Sequence, residues 1–407
     1  MSRRVVISGM GLLTPLGKGP REFFDNALKG KSVVRKITKF DTRNLRVKIA
    51  GEISGATGSE DLESLLPNVT IWTLAAARDA IKDAQLEPST SNPLSMDVIL
   101  GNSISNIETL NPRLFENGAK SLIEITPKEL SRLNPAFTAA YLAQELGLEG
   151  EIVNLTTACS SSTSAIGYAV RLIQQGESDL VLTGGADEGV SPLFMGAFTN
   201  GLCLSTRNEQ PESASRPFDR TRDGSVQADA ACVLVLEEYR HALKRGAKIY
   251  AELSGFGSSG DCKSALKLPS SLEPGIRAIQ KALKQACIET SEVDYYSALG
   301  VAHPWIDVLE TRIIKAVFRE ATTQMPASSI RSMMGHPMGA SGALQTAIGA
   351  LSILNQSIHP TINYVEPDPE CDLDCVPNEA RTARVKSALI YTIGTGGNHS
   401  ALILKAC

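Results

Sequence analysis

EIVNLTTACSSSTSAIGYAVRLIQQGESDLVLTGG, running from Glu151 to Gly185, contains one complete strand–helix–strand unit. Glu151–Leu155 reads as a strand that runs into a turn of small residues. Ser162–Gln175 reads as a helix whose face is small and apolar throughout, and Leu180–Thr183 as a buried strand ending at Gly184-Gly185. Strands whose consecutive positions are apolar belong to a sheet covered on both faces. The same grammar extends outward in both directions. Strands are expected at Arg4–Ile7, Asp97–Leu100 and Ala231–Leu236, and helices at Ile71–Ala84 and Pro135–Leu146. Beyond them come strands at Tyr250–Gly255, Tyr296–Val301, Ser387–Thr392 and His399–Leu404, with helices at Leu272–Ile288, Ile306–Phe318 and Ala340–Leu354. Alternating strands and helices predict an α/β fold with largely parallel sheets between helical layers. The second half, residues 250–407, looks like another version of the first, residues 1–249.

Two polar stretches, Arg207–Asp223 and Pro360–Asn378, read as long surface loops, of a length that often carries function. The remaining composition narrows the class. The 407 residues are 43% hydrophobic and 21% charged, with a net charge of -4, which excludes a disordered chain. No basic run points to nucleic acid, and no apolar run is long enough to span a bilayer. The N-terminal MSRRVVISGMG leads straight into a strand pattern, so the expected location is the cytoplasm or, for a processed chain, an organelle. Cys371 and Cys375 have no second Cys/His pair beside them, so no metal site is expected, and most of the eight cysteines read as buried thiols of a reducing compartment.

Cys159 stands where the strand 151–155 has turned and the helix is about to begin. A thiol there feels the positive end of the helix dipole, which favours the thiolate, and backbone N–H groups of the turn can hold an oxyanion. A buried inert cysteine fits the same local pattern. Among the five histidines, His303 follows an apolar strand, and ligands gather at the carboxyl ends of strands in α/β sheets. His336 lies in Met333-Met-Gly-His336-Pro-Met-Gly-Ala-Ser-Gly342, where glycines let backbone approach a ligand closely. One cysteine with two such histidines suggests thiol chemistry with proton or oxyanion assistance. His241 reads as solvated surface, His359 as a loop residue, and His399 as a capping or packing residue near the turn Gly394–Asn398.

Six segments together resemble the β-ketoacyl-[acyl-carrier-protein] synthases of the decarboxylating Cys-His-His group, from fatty-acid and type II polyketide synthesis. They are Val5–Gly17, Thr157-Ala-Cys159-Ser-Ser, Thr183-Gly-Gly-Ala-Asp187, Ser205-Thr-Arg-Asn208, Ser215-Arg-Pro-Phe-Asp219 with Arg222-Asp-Gly224, and Met334–Ala343. The likeness covers nearly the whole chain. It implies a thiolase fold, two similar α/β halves in a five-layer αβαβα arrangement, assembled as a homodimer or as a heterodimer with a second ketosynthase-like chain. It further implies that Cys159 accepts an acyl chain from the phosphopantetheine of an acyl carrier protein. Malonyl carrier protein then loses CO2, and the carbanion attacks the thioester. His303 and His336 would stabilise the enolate, with Arg331, Glu310 and Asp307 in support. The backbone N–H groups of Cys159 and Thr395 would form the oxyanion hole, and Ile393, Thr395 and Phe198 would gate the acyl chain. No metal and no tightly bound cofactor is implied.

The chain departs from that family in four places. Arg331 stands where Lys is usual, which keeps the positive charge and leaves an ion pair with Glu310 open. Pro304-Trp305-Ile306 follows His303 where Gly-Thr and a second Thr are usual, and Asp307 and Glu310 lie closer to the histidine. Ile393 and Thr395 replace two Phe. Ser225-Val-Gln-Ala-Asp-Ala-Ala-Cys232 replaces a Phe followed by a glycine-rich run. These changes cluster on the malonyl and pantetheine side, while the Cys159 turn is intact. A specialised synthase fits this pattern. So does an acyltransferase that hands the Cys159-bound chain to another nucleophile. A chain-length-shaping partner subunit is the third reading, opposed by the retention of Cys159, His303 and His336.

Overall fold

The structure is a computed structural model that describes residues 3–54, 66–88, 91–104 and 126–407, apart from 264, 266 and 269. The main strands are β1 (Val5–Thr14), β2 (Asp97–Gly101), β3 (Ile152–Leu155), β4 (Leu180–Glu188) and β5 (Asp229–Glu238) in the first half. In the second half they are β6 (Ala251–Gly260), β7 (Tyr295–Ser297), β8 (Ala327–Ser328), β9 (Ser387–Gly394) and β10 (Asn398–Lys405). Their spatial order is β8-β7-β9-β10-β6-β1-β5-β4-β2-β3. Counted from the first strand of each half, both halves therefore follow the order three, two, four, five, one.

The strand directions correct the expectation of largely parallel sheets. Parallel pairing is confined to the flanks, β3 with β2, β2 with β4, β8 with β7 and β7 with β9. The six central strands are antiparallel. The reason is connectivity. In the second half the last two main strands, β9 and β10, are joined by the tight turn Thr395–Gly397, whereas in the first half β4 and β5 are joined by the long segment 189–228, which carries the helix Pro192–Asn200 and returns the chain antiparallel. Hairpin-type connections give antiparallel neighbours, whereas parallel ones need a crossover.

Five layers follow from where the strands send their side chains. Ala388 and Ile390 of β9 enter a central core, whereas Leu389 and Tyr391 enter an outer one. Likewise Cys232 and Leu234 of β5 face the centre, and Val233 and Val235 face the other outer core. The central core is filled by α2 (Ser161–Gln175) and α6 (Ser341–Asn355), whose N-terminal turns meet where Gly342 packs on Thr163. The outer layers hold α1 (Asn68–Asp83) over the first half, and α4 (Glu273–Ala286) with α5 (Ile306–Phe318) over the second. Between α2 and α4 in the chain lies α3 (Pro192–Asn200), at the mouth of the site described below.

Both first strands run past the glycines that were expected to end them. In β1, a Cβ on Gly9 or Gly11 would collide with the carbonyl oxygens of Ala80 and Ala76 on α1. In β6, a Cβ on Gly255 or Gly257 would collide with the carbonyls of Ala282 and Ala278 on α4. The glycines let a helix sit directly on the strand. Each strand also has one bulged residue, Ser8 against β5 and Ser254 against β10. The repeat is visible in the sequence as Ser8-Gly-Met-Gly11 and Ser254-Gly-Phe-Gly257, a correspondence the sequence reading missed.

The two expected surface loops are only partly on the surface, where Glu209, Gln210, Val365 and Glu370 are exposed. Ala214, Ser215, Phe218, Asp219 and Arg222 are buried, as are Cys371 and Cys375. The Asp219 carboxylate accepts from the N–H of Val365 and Glu366, and Arg222 reaches Asp368 at 2.6 Å. Charge in these stretches serves ion pairing between them, which composition alone reads as solvent exposure. No helix among the described residues is long and apolar enough to cross a membrane.

Candidate active site

The β3–α2 connection is a sharp elbow. Ala158 holds a left-handed backbone (φ 53), which costs an alanine about 1–2 kcal/mol. Ser161 Oγ accepts from the Thr157 N–H and donates to the Ala158 carbonyl, so the helix start clamps the strained residue. Cys159 is thereby thrust to the end of α2, 8% exposed, beside Met338, Ile104, Phe194 and Phe198.

A single cavity is lined by Cys159, His303, His336, Ile393, Thr395 and Phe198, together with Ser225, Gln227, Leu299, Val301, Ile306 and Met338. The structure therefore brings together residues drawn from opposite ends of the chain. His336 Nε2 lies 3.2 Å from Cys159 Sγ. Its backbone is pinned to the segment before β5, where its N–H donates to the Val226 carbonyl and its carbonyl accepts from the Ala228 N–H. Gly335 precedes it at φ 89, a left-handed turn that favours glycine.

Both imidazoles have their tautomer fixed by a donor on Nδ1. Arg331 Nε donates to His336 Nδ1 at 3.2 Å, and guanidinium can only donate. A neutral His336 therefore carries its proton on Nε2, facing the sulfur. His303 Nδ1 accepts from the N–H groups of Trp305 and Ile306 at the start of α5, so its proton is on Nε2 as well. Burial, reinforced by the Arg331 cation, holds His336 well below the usual imidazole range. Burial and then Arg222 lower His303. Two neutral N–H donors consequently face one cavity.

The support beneath them resolves one point that the sequence leaves open. Arg331 makes no contact ion pair with Glu310. Its Nη1 donates to the Ala298 and Leu299 carbonyls, and its Nη2 to Gln345 Oε1 at 2.9 Å. Glu310 instead accepts from the Leu299 and Gly300 N–H groups and from the Tyr296 hydroxyl. Arg331 and Glu310 thus grip the same strand end, one by its carbonyls and the other by its amides, and interact through space. Burial lowers Arg331 to about 10 and raises Glu310 to about 7. Asp307 holds the Val301 and Phe218 N–H groups, and its carboxyl is pushed up to about 6 by burial. Arg222, 3.8 Å from Asp307, donates to the Pro304 carbonyl and so fixes the segment that follows His303.

Cys159 overturns the expected sign of its acidity. Burial, and next the Asp187 carboxylate, push the thiol up to about 11, against Arg331 and the N–H groups of Cys159 and Thr395. At a helix start the dipole favours thiolate, yet here the removal of water is the larger effect. Alkylation of Cys159 should accordingly rise about tenfold per pH unit without levelling between neutrality and pH 10. Peptide mapping after timed iodoacetamide treatment measures it, and a plateau near pH 8 would contradict the buried-thiol geometry.

Ile393 is buried and Thr395 exposed at the cavity, and Phe198 projects from α3. The other histidines lie apart. His359 is wholly buried and hydrogen-bonded to Ser328, Tyr295 and the Pro360 carbonyl, so the loop reading gives way to a satisfied core histidine. His399 is buried against the Tyr391 hydroxyl. His241 pairs with Glu237 at 2.6 Å, half-buried and not merely solvated. No metal-binding cluster of His, Cys, Asp and Glu occurs among the described residues.

Sequence reasoning missed Gln345, Arg222, Asp187 and Gln227. Gln345 had a usable signal, a lone carboxamide inside the apolar run of α6. Asp187 is fully buried and accepts from the N–H groups of Ser103, Ile104 and Gly339, tying together two segments beside Cys159.

Comparison with known proteins gives a consistent result. Residues 2–242 match the N-terminal domain of β-ketoacyl synthases, and residues 250–365 the C-terminal domain. The chain is 36% identical over 413 aligned positions to 3-oxoacyl-[acyl-carrier-protein] synthase 2 of Staphylococcus aureus, covering 99% of this chain and 98% of that protein. It is 35% identical to the synthase of the same name from Coxiella burnetii, with the same coverage. Among solved structures it superposes on a chain of a type II polyketide ketosynthase complex with its acyl carrier protein at a TM-score of 0.92, with 33% identity and full coverage of both chains. A chain of the ishigamide ketosynthase/chain length factor gives 0.91 at 31% identity, and a β-ketoacyl synthase from Burkholderia phymatum 0.90 at 33%, again with full coverage. With its thiolase fold and with both family domains in order, this chain belongs to the β-ketoacyl synthase family of acyltransferases.

Proposed function

We infer that Cys159 is the acyl-accepting nucleophile of a decarboxylative condensation, with His303 and His336 as its two N–H donors. The observation that carries this reading is the pair of fixed Nε2–H tautomers facing one cavity with the Cys159 sulfur. Because Arg331 occupies His336 Nδ1, the neutral imidazole cannot take the thiol proton on Nε2. His336 acts as a donor to anionic sulfur or oxygen, and it is not the base for Cys159.

The steps follow from what is in place. A thioester on an acyl carrier protein enters, Cys159 sulfur attacks its carbonyl, and the carrier thiol leaves with a proton. The N–H groups of Cys159 and Thr395 hold the tetrahedral oxyanion, charge that develops only during reaction. A malonyl thioester on a second carrier protein then loses CO2. The enolate oxygen accepts from His303 and His336, and its carbon attacks the Cys159 thioester, releasing the thiolate and a β-ketoacyl product. Two neutral donors suit this step, because a cationic imidazole would pair with the ground-state malonyl carboxylate as well as with the enolate.

Ile393, Thr395 and Phe198 serve as the gate, in which the smaller Ile393 and Thr395 favour a specialised fatty-acid or polyketide route. Residues 1–249 and 250–407 form the two thiolase-like halves, supported by their shared strand order. The proposed partners are an acyl carrier protein, which presents the substrate on its phosphopantetheine, and a second ketosynthase-like chain, identical or different. The proposed location is the cytoplasm. No tightly bound cofactor takes part in these steps.

Intact-mass measurement tests the reading. Acyl carrier protein should add one acyl group to Cys159, and malonyl carrier protein should then remove it as a two-carbon-longer product. An adduct that persists after malonyl addition would favour transfer to another nucleophile. The absence of both events, with a second chain co-purifying, would favour the partner-subunit role.

A further inference from the structure

Gln227 has no part in the steps above. The residue lines the cavity that holds Cys159, His303 and His336, and it is 2% exposed. Its Oε1 lies buried beside Gly189 without a hydrogen-bond partner among the described residues. A buried carboxamide left unpaired costs stability, and such groups are rare in folded proteins. Its backbone bridges in parallel to His336, which places the two residues next to one another in the wall of the cavity. The walls nearby are apolar, formed by Leu204, Leu299, Val301, Ile306, Met338 and Ile393. Ser225, two residues away and also in the lining, spends its hydroxyl on the Val301 carbonyl at 2.7 Å, whereas the Gln227 oxygen has no such partner.

We propose that Gln227 is a specificity-determining residue that hydrogen-bonds a hydroxyl or keto oxygen of the substrate, so that the cavity selects an oxygenated chain over a saturated one. This rests on the synthase reading and names the substrate class for the same site. A carboxamide offers a carbonyl to a hydroxyl and an N–H to a keto oxygen, so one residue serves both. An unpaired polar group in a largely apolar wall disfavours the analogue lacking the matching oxygen, because the group is then left unpaired. The oxygen has two possible sources, the acyl chain on Cys159 or the extender unit, and position beside His336 reaches either.

Competition experiments separate the sources. In the first arm, the holo-protein receives equal amounts of an acyl carrier protein bearing a saturated acyl chain and one bearing its β-hydroxy or β-keto counterpart. In the second, the Cys159-acylated protein receives malonyl and hydroxymalonyl carrier proteins together. Product mass gives the ratio of kcat/KM values in each. The wild type should prefer the oxygenated partner in one arm by about tenfold or more. Gln227→Leu should bring that ratio close to one while thermal unfolding shifts upward or stays level, as removal of an unpaired buried group predicts. Gln227→Met serves the same purpose should the branched side chain not fit. Equal ratios in wild type and variants in both arms would overturn the proposal, as would a lowered unfolding midpoint with unchanged ratios, which marks a packing role. Failure of Cys159 to acylate from any carrier overturns the synthase reading and this proposal with it, whereas turnover without discrimination overturns this proposal alone.

Discussion

Cys159→Ala is expected to eliminate acyl-enzyme formation and to lower condensation by about four orders of magnitude or more, the scale of losing a covalent nucleophile. No second thiol can replace it. Cys203 lines the same cavity, but its sulfur is engaged with the Gly201 carbonyl and it does not stand at a helix start facing His336. The same substitution leaves His303, His336 and the Thr395 N–H where they are. Release of CO2 from malonyl carrier protein should therefore survive in Cys159→Ala while carbon–carbon bond formation does not. His336→Ala should show the converse, with acylation of Cys159 retained and CO2 release lost. Intact mass reads the first event and headspace CO2 the second. Persistent labelling of the Cys159→Ala protein at an unchanged rate would place the nucleophile elsewhere.

Arg331→Met is expected to cost about 3–5 kcal/mol of stability, the range for removing one member of a buried charged network. The side chain is 1% exposed. Its loss would leave the Ala298 carbonyl and Gln345 Oε1 without their donor, the Leu299 carbonyl with Ser329 alone and His336 Nδ1 with the Ser341 hydroxyl alone. Condensation should fall by about a hundredfold or more, the cost of misplacing a donor to developing charge. The pH profile supplies a second readout. Arg331 both lowers His336 and opposes the burial that raises Cys159. Without it His336 moves upward toward the ordinary imidazole range and Cys159 moves further up. The acid limb of condensation should then shift to higher pH, because a protonated His336 forms only below its own pKa. An unchanged acid limb together with full activity would show that the guanidinium merely fills space. Arg331→Lys should fall between these extremes. A point-charge ammonium cannot serve the histidine, the carboxamide and two carbonyls at once.

The contact between Arg331 and His336 also explains which parts of the site were legible beforehand. Cys159, His303 and His336 announce themselves through local context, a small-residue turn before a helix, a strand end, and a glycine-lined turn. Each signal lies within a dozen residues of its subject. The carboxamide of Gln345 and the guanidinium of Arg222 gave no such local cue to their partners, because those lie on other elements. The direction of the central strands escaped a reading based on alternation, since alternation reports crossovers and is silent about hairpins. The two long polar stretches escaped for a related reason. Arg222 and Asp219 look solvated in composition, and only their pairing with Asp368 and the backbone of Val365 and Glu366 makes burial affordable.

By itself, then, the amino-acid sequence indicated the order of elements and singled out the cysteine and both histidines that line one cavity. It also carried the repeat itself, in the glycine pairs Gly9/Gly11 and Gly255/Gly257 that seat a helix on each first strand. These are properties of contiguous segments, in which side-chain period, turn chemistry and the absence of a Cβ act over a few residues. The tertiary structure alone decided that Cys159 lies 3.2 Å from His336 across 177 positions of chain, that both imidazoles present Nε2–H, and that the thiol is pushed up to about 11 and not down. Desolvation and tautomer are set by whatever surrounds a group in space. Those surroundings come from both halves of the chain at once.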